Sequence, residues 1–353
     1  MAKAVELAII PFTHRFTLAY EVTIRAVSEL TVGGGSLEQA TSPFDIAVAK
    51  MPIGDKLVPY IPASTVKGLL RAIAEEAVRE MCGGEVALYD VLKAAELDGE
   101  DKEVRREFVE KVVGKALRQF FDEKAVEDVE RKLAEGYGDF VRGALPREPE
   151  VEDVLKRIRV TPHVCNPVVE GLACELPIRR YKEAYLKALK KAANVDRMYY
   201  PCPVCRTFGA PGYASNVHVT NFYPEGELGV NYFILTRRHV AIDRTTGAAA
   251  EGKLFEMEYV TPGATFKGYI LVKGKPAGNI SGCPSQLTGD EVPDYVVRLA
   301  LEKAKRALLG RRKSAGMGEV EVEYTPVSSN TQCPPWRPLG EICQWVKGAV
   351  ATI

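Results

Sequence analysis

Apolar and polar residues alternate from Leu18 to Ala26, and this period of two predicts a strand with one buried face inside a longer β-rich run over residues 4–30. The period changes at YIPASTVKGLLRAI, residues 60–73. Leu69, Leu70 and Ile73 there supply an apolar helix face, Ser64 or Thr65 is placed to cap it, and the helix should reach about Met81. Residues 85–200 read as mostly helical, through KEVRREFVEKVVGKALRQFF, AVEDVERKLAEG and KEAYLKALKKAA. The β pattern returns after residue 205 in NVHVTNFYP, NYFILTRRHVAID and KLFEMEYVTPGATFKGYILVKG. A second amphipathic helix, VPDYVVRLALEKAKRALLG, precedes a glycine-rich turn and a last strand, EVEVEY.

With residues 85–200 set aside, the order is strand, helix, strands, helix, strand. That is the split β-α-β order of an α+β, ferredoxin-like core with an antiparallel sheet. We therefore expect residues 1–84 and 201–353 to form one core and residues 85–200 to be a large helical insertion. Such a sheet recurs in RNA-binding modules, but a fold alone does not assign a function.

Composition narrows the classes. The 353 residues are 46% hydrophobic, enough to bury a large core, and the longest apolar runs fall far short of a membrane span. The N-terminus lacks the apolar stretch and cleavage site of a secretory signal, so a cytoplasmic location is expected. The 47 basic and 47 acidic residues cancel, so a polyanion surface must come from where charges sit. Abundant Glu, Lys and Arg beside scarce Asn and Gln resemble the composition of thermophile proteins.

Two segments concentrate cations on bare backbone. In the first helix, Lys67 and Gly68 fall near the N-terminus, where the macrodipole favours an acid and glycine costs roughly 1 kcal/mol relative to alanine. An anion docked there would account for both. The second segment, GRRKSAGMG at 310–318, sets Arg311, Arg312 and Lys313 beside Gly310, Gly316 and Gly318. It follows a helix and enters a strand, the reverse of a P-loop, so nucleotide hydrolysis is not indicated and contact with a sugar-phosphate chain is. The two segments are expected to converge on one track for a polyanion.

Eight cysteines in a chain of this kind argue against a disulfide framework unless the host is a hyperthermophile. CPVC at 202–205 places Cys202 and Cys205 for one zinc ion, with Cys174 and either Cys165 or His163 completing a closed structural site. For catalysis, Asp45, in TSPFDIAVAK between the GGGS loop and the first helix, could orient a metal ion such as Mg2+ or a ribose 2'-hydroxyl. His14, His163, His218 and His239 lie in no hydrolase motif. Residues 237–260 read as a projecting hairpin with a Thr-, Gly- and Ala-rich tip.

Taken in order, IPASTVKGLLR, CPVCRTFG, HVAIDRTTGAAAEGKLFEMEYVTPGATFKGYI and RRKSAGMGEVEVE resemble the RAMP superfamily, in particular the repeated backbone subunit of type III CRISPR interference complexes of the Csm and Cmr kinds. The resemblance implies an RRM-like core with an inserted lid, copies of the chain stacked in a filament along a CRISPR guide RNA, and a single-stranded target RNA as second partner, alongside other type III subunits. It carries over Ser64, Thr65, Lys67 and Arg71 as guide contacts, and Arg311, Arg312, Lys313, Gly316 and Gly318 likewise. The hairpin corresponds to a thumb that interrupts the guide-target duplex, and CPVCR to a zinc segment. Cleaving subunits of that family resemble ID-x-P after the glycine loop; here the stretch is ATSP, with Thr41 at the aspartate position and Asp45 four residues on. A metal-dependent endoribonuclease would need Asp45 in that role. A metal-free guide-processing ribonuclease of the same superfamily would need a histidine such as His14.

Overall fold

The computed structural model describes residues 16–33, 44–53, 56–95, 97, 101–141, 149–167, 169–226, 234–336 and 338–350. His14 and Thr41 lie outside these residues. The alternation at the N-terminus becomes β1 (Leu18–Ala26), followed by a small hairpin of β2 (Lys50–Ile53) and β3 (Lys56–Pro59). Helix α1 (Ala63–Cys82) then runs for 20 residues. Next come β4 (Val86–Ala87), α2 (Leu88–Ala94) and α3 (Lys102–Phe108), which passes through a π turn (Val109–Gly114) into α4 (Lys115–Leu117). Beyond it lie α5 (Glu123–Val141), α6 (Pro149–Arg157), β5 (Arg159–Val160), α7 (Arg180–Ala192) and α8 (Pro203–Phe208). The β-rich remainder comprises β6 (Val217–Val219), β7 (Tyr223–Pro224), β8 (Ile234–Ile242), β9 (Ala249–Val260) and β10 (Thr265–Val272). Helix α9 (Val292–Lys303), β11 (Arg306–Leu308), β12 (Glu319–Pro326) and α10 (Leu339–Val350) close the chain.

The principal sheet has the order β11-β12-β1-β10-β6, every pairing antiparallel, with β7 also on β10. Alternation on β1 and β10 sends Val22, Ile24, Ile270 and Val272 to one face, where Val66, Leu70, Ala74 and Val78 of α1 and Val296 and Ala300 of α9 cover them. The other face buries Ala19, Tyr269 and Leu271 beneath Leu339, Cys343 and Val346 of α10. Asp294 is fully buried between the layers, and its carboxylate is satisfied by the Tyr20 hydroxyl, the Ala277 N–H at 2.7 Å and Arg298 at 3.5 Å. A separate apolar cluster, built from Leu88, Val91, Phe108, Val112, Val129, Leu155, Tyr181 and Tyr185 among others, packs the helices of residues 86–198 on one another.

Three sequence expectations are corrected. Neither Ser64 nor Thr65 caps α1: Pro62 stands at the cap and the Ala63 N–H donates to Asn221 Oδ1 at 2.9 Å. Lys67 consequently sits at the fifth helical position, two residues deeper than a Ser64 cap would put it. The second amphipathic helix stops at Lys303, because Arg306–Leu308 pairs with Glu319–Glu321 as an edge strand. Disulfides are present where the cysteine count argued against them: Cys82 bonds Cys283 across 201 residues and Cys333 bonds Cys343, while Cys165, Cys174, Cys202 and Cys205 are free. Among the described residues, no helix is long and apolar enough to cross a membrane.

Candidate nucleic-acid interface and cysteine centre

The glycine-rich turn is held at the C-terminal end of β1 by backbone bonds that only glycine accommodates. Gly310 (φ 86°) and Gly318 (φ 83°) occupy the left-handed region; a Cβ would come within 2.3 Å of the Thr31 oxygen in the first and 2.1 Å of the Leu309 oxygen in the second. These close approaches let the Arg311 N–H reach the Thr31 oxygen (2.9 Å) and the Gly318 N–H reach the Glu29 oxygen (2.8 Å). Between these anchors Arg311, Arg312, Lys313 and Gly316 are all exposed. The Arg312 guanidinium lies 5.7 Å from the Phe255 ring, on which His239 stacks at 5.0 Å, and Arg237 lies over Tyr259 while pairing with Glu29. The base of the β8-β9 hairpin is thus joined to the basic turn.

A chain of main-chain bonds leads from this turn to α1. Beyond Thr31, the Val32 oxygen accepts from Ala49 (2.8 Å), the Ala49 oxygen accepts from Tyr60 (3.0 Å), and Ile61 and Phe222 exchange two bonds of 2.9 Å. Two residues later α1 begins. On its outer side Ser64 and Gly68 are exposed, with open space where a Gly68 side chain would be. Lys67 is half-buried, and its ammonium donates to Ser215 Oγ at 3.0 Å. Burial first, and then the charge of Arg71, lowers its pKa from the ordinary lysine value. The first-turn amides are largely engaged, Ala63 by Asn221 and Thr65 and Val66 by the Pro62 oxygen, so the cationic side chain and the bare Gly68 backbone are what remain for an anion.

Arg71 faces elsewhere. It pairs with Glu75 at 3.0 Å, donates to the Gly209 oxygen at 3.0 Å, and donates to Cys205 Sγ at 3.3 Å. That contact leads to the cysteine centre. The sulfurs of Cys165, Cys174, Cys202 and Cys205 all lie within 4.8 Å of one another, the Cys165–Cys205 pair at 3.4 Å. A tetrahedral ion about 2.3 Å from each sulfur would set them about 3.8 Å apart, so the group could bind a metal with little movement. Hydrogen bonds from Cys174, Cys202 and Cys205 lower the pKa of Cys165, while Cys174 and Cys202 are pushed up, chiefly by Cys165. Two cations attend the cluster: Arg71, and Lys182, which is only 1% exposed and donates to the Gly171 oxygen at 2.5 Å. A buried cation beside four thiols is compensated once those thiols ionise around a metal.

Of the alternatives left open for the fourth ligand, Cys165 stands in the cluster. His163 is buried in a different group, beside the Cys82–Cys283 disulfide, and burial lowers its pKa. Asp45 is exposed, its carboxylate accepts the Glu256 N–H at 2.8 Å, and it belongs to none of the groups of three or more metal-ligating side chains among the described residues. In this position it fastens the loop to β9. Asn221, Ser215, Phe255 and Lys182 complete the two centres from afar, and no local sequence signal marks them.

The profile of the RAMP superfamily matches residues 23–321. Among solved structures, a chain of a "Type IV-B CRISPR Complex" is similar at 15% identity and a TM-score of 0.40, over 92% of this chain and 98% of that one. A chain from the "Cryo-EM structure of the Type III-B Cmr-beta bound to cognate target RNA" is similar at 13% identity and a TM-score of 0.38, over 89% of this chain and 61% of that one. No curated protein matches the sequence.

Proposed function

The chain belongs to the RAMP superfamily, and from that premise we propose that it is an RNA-binding subunit of a CRISPR effector complex. It holds a guide RNA by its phosphates, contributes to binding of single-stranded target RNA, and lies beside copies of itself and other subunits of a type III assembly. The observation that supports this reading is the path of main-chain hydrogen bonds that links the exposed Arg311-Arg312-Lys313 turn to the start of α1. The fourth-first-third-second order of β12, β1, β10 and β6, with α1 and α9 on one face, supports a ferredoxin-like core.

The cysteine centre is read as a structural zinc site of Cys165, Cys174, Cys202 and Cys205. Four sulfur ligands favour zinc, and a closed shell leaves no position for a reacting water. Bound there, zinc would tie the start of α8 to residues 165–174, while Arg71 and Lys182 offset the thiolate charge. Binding is the role supported; Asp45, committed to the Glu256 amide, lends no support to cleavage.

The test is salt-dependent binding of a single-stranded RNA without sequence preference, measured for the intact protein and for Lys67→Ala. The intact chain should lose affinity steeply as salt rises, and the variant should flatten the logarithmic slope by about 0.7, one phosphate contact on a single strand. Affinity that ignores salt would refute the reading.

A further inference from the structure

Strand β6 ends the sheet, and the two layers of helices meet around it. Its Val217 and Val219 point into the core under α1, whereas His218 between them is exposed and turns to the side covered by α10. Trp345, on α10, stands beside it with ring centroids 5.8 Å apart and planes at 70°, and Phe16 lies 6.0 Å from the other side of the imidazole. Although indole rings bury more area than any other side chain when they can, Trp345 remains 51% exposed. Its support is rigid, since the neighbouring Cys343 and Val346 are fully buried and Cys343 is tied to Cys333. The tilt of 70° keeps the two rings from covering one another, so a face of the indole is open to a third ring.

From the opposite layer, Lys67 reaches the same edge. Its ammonium rests on Ser215, two residues before β6, and its charge, after burial, is the second cause of the lowered pKa of His218. A cation and an open aromatic face at the same sheet edge are the two groups that a single-stranded nucleic acid uses, with a phosphate on the charge and a base on the ring.

We infer that Trp345 and His218 form a seat for one nucleobase of single-stranded RNA, with Lys67 holding the adjoining phosphate. The inference rests on the RNA-binding reading above and extends it to a second contact, at the sheet edge remote from the basic turn. Every base has a π face, so the seat accepts any of them and adds affinity without reading sequence.

The chain has two tryptophans, and Trp336→Phe leaves Trp345 as the sole indole reporter. In that background, oligouridine and an abasic sugar-phosphate oligomer of equal length are titrated while emission is followed. Oligouridine should quench Trp345 and bind more tightly than the abasic strand, which should bind without changing emission. Trp345→Ala should lower oligouridine affinity about tenfold or more and leave the abasic strand unaffected, with Trp345→Phe restoring most of the loss. Oligouridine binding that stays salt-sensitive with constant emission and no effect of Trp345→Ala would overturn the seat alone. Emission that changes with protein concentration in the absence of RNA would assign the indole to a second copy of the chain and overturn it likewise. Failure of both strands to bind would overturn the seat together with the RNA-binding reading.

Discussion

Replacing Arg311, Arg312 and Lys313 together by alanine should lower affinity for single-stranded RNA about 100-fold at about 0.1 M salt and reduce the logarithmic salt slope by about 2. The magnitude follows from counterion release: each phosphate neutralised on a single strand contributes about 0.7 to the slope, and three contacts compound. The fold should tolerate the change. What fixes the turn is the main chain, through Gly310, Gly318 and the bonds to Thr31 and Glu29, while the three side chains are exposed. Losing the Arg312 contact with Phe255 removes about 1 kcal/mol at most from a surface site. Circular dichroism unchanged from the intact protein, with RNA affinity reduced as stated, is the expected pair of results. Unchanged affinity would remove the turn from the interface.

Cys205→Ser should have the larger effect on the fold. Elemental analysis of the intact protein should return one zinc per chain, and the variant close to none. The free energy of a structural zinc site, on the order of 10 kcal/mol in small domains, is comparable to the whole stability of a typical domain. Without the ion, Cys165, Cys174 and Cys202 lose their common centre, Arg71 loses the sulfur it donates to, and Lys182 is left buried beside thiols that no longer ionise. Amide exchange should therefore rise over residues 165–208 and in α1 around Arg71, and a chelator at mildly acidic pH should reproduce it as the thiolates protonate. A zinc-free intact protein that melts at the same temperature as Cys205→Ser would return the four cysteines to ordinary core packing.

What could be read from the sequence was local. The period of two placed β1, β10 and β12, the apolar face of residues 69–73 placed α1, and CPVC marked half of the cysteine centre, because each signal lies within one turn or one strand. What escaped reading was carried by long-range partners. Asn221, 158 residues from Ala63, displaced Ser64 and Thr65 from the capping role. Pairing with β12 ended α9 before Leu308 although the apolar spacing ran on. The 201-residue span of the Cys82–Cys283 bond has no sequence pattern at all. Arg71 shows the same limit in a site residue: its helix position was legible, but the sulfur and carbonyl that turn it away from the outer face come from α8 and the loop after it.

Photocrosslinking of the intact protein to a short single-stranded RNA carrying 4-thiouridine at every uridine tests most directly whether the two cationic segments serve one strand. Peptide mapping should place crosslinks in both residues 63–71 and residues 310–318, with single RNA molecules bridging the two. Crosslinks confined to one of these segments, or falling only among the helices of residues 86–198, would contradict a shared track.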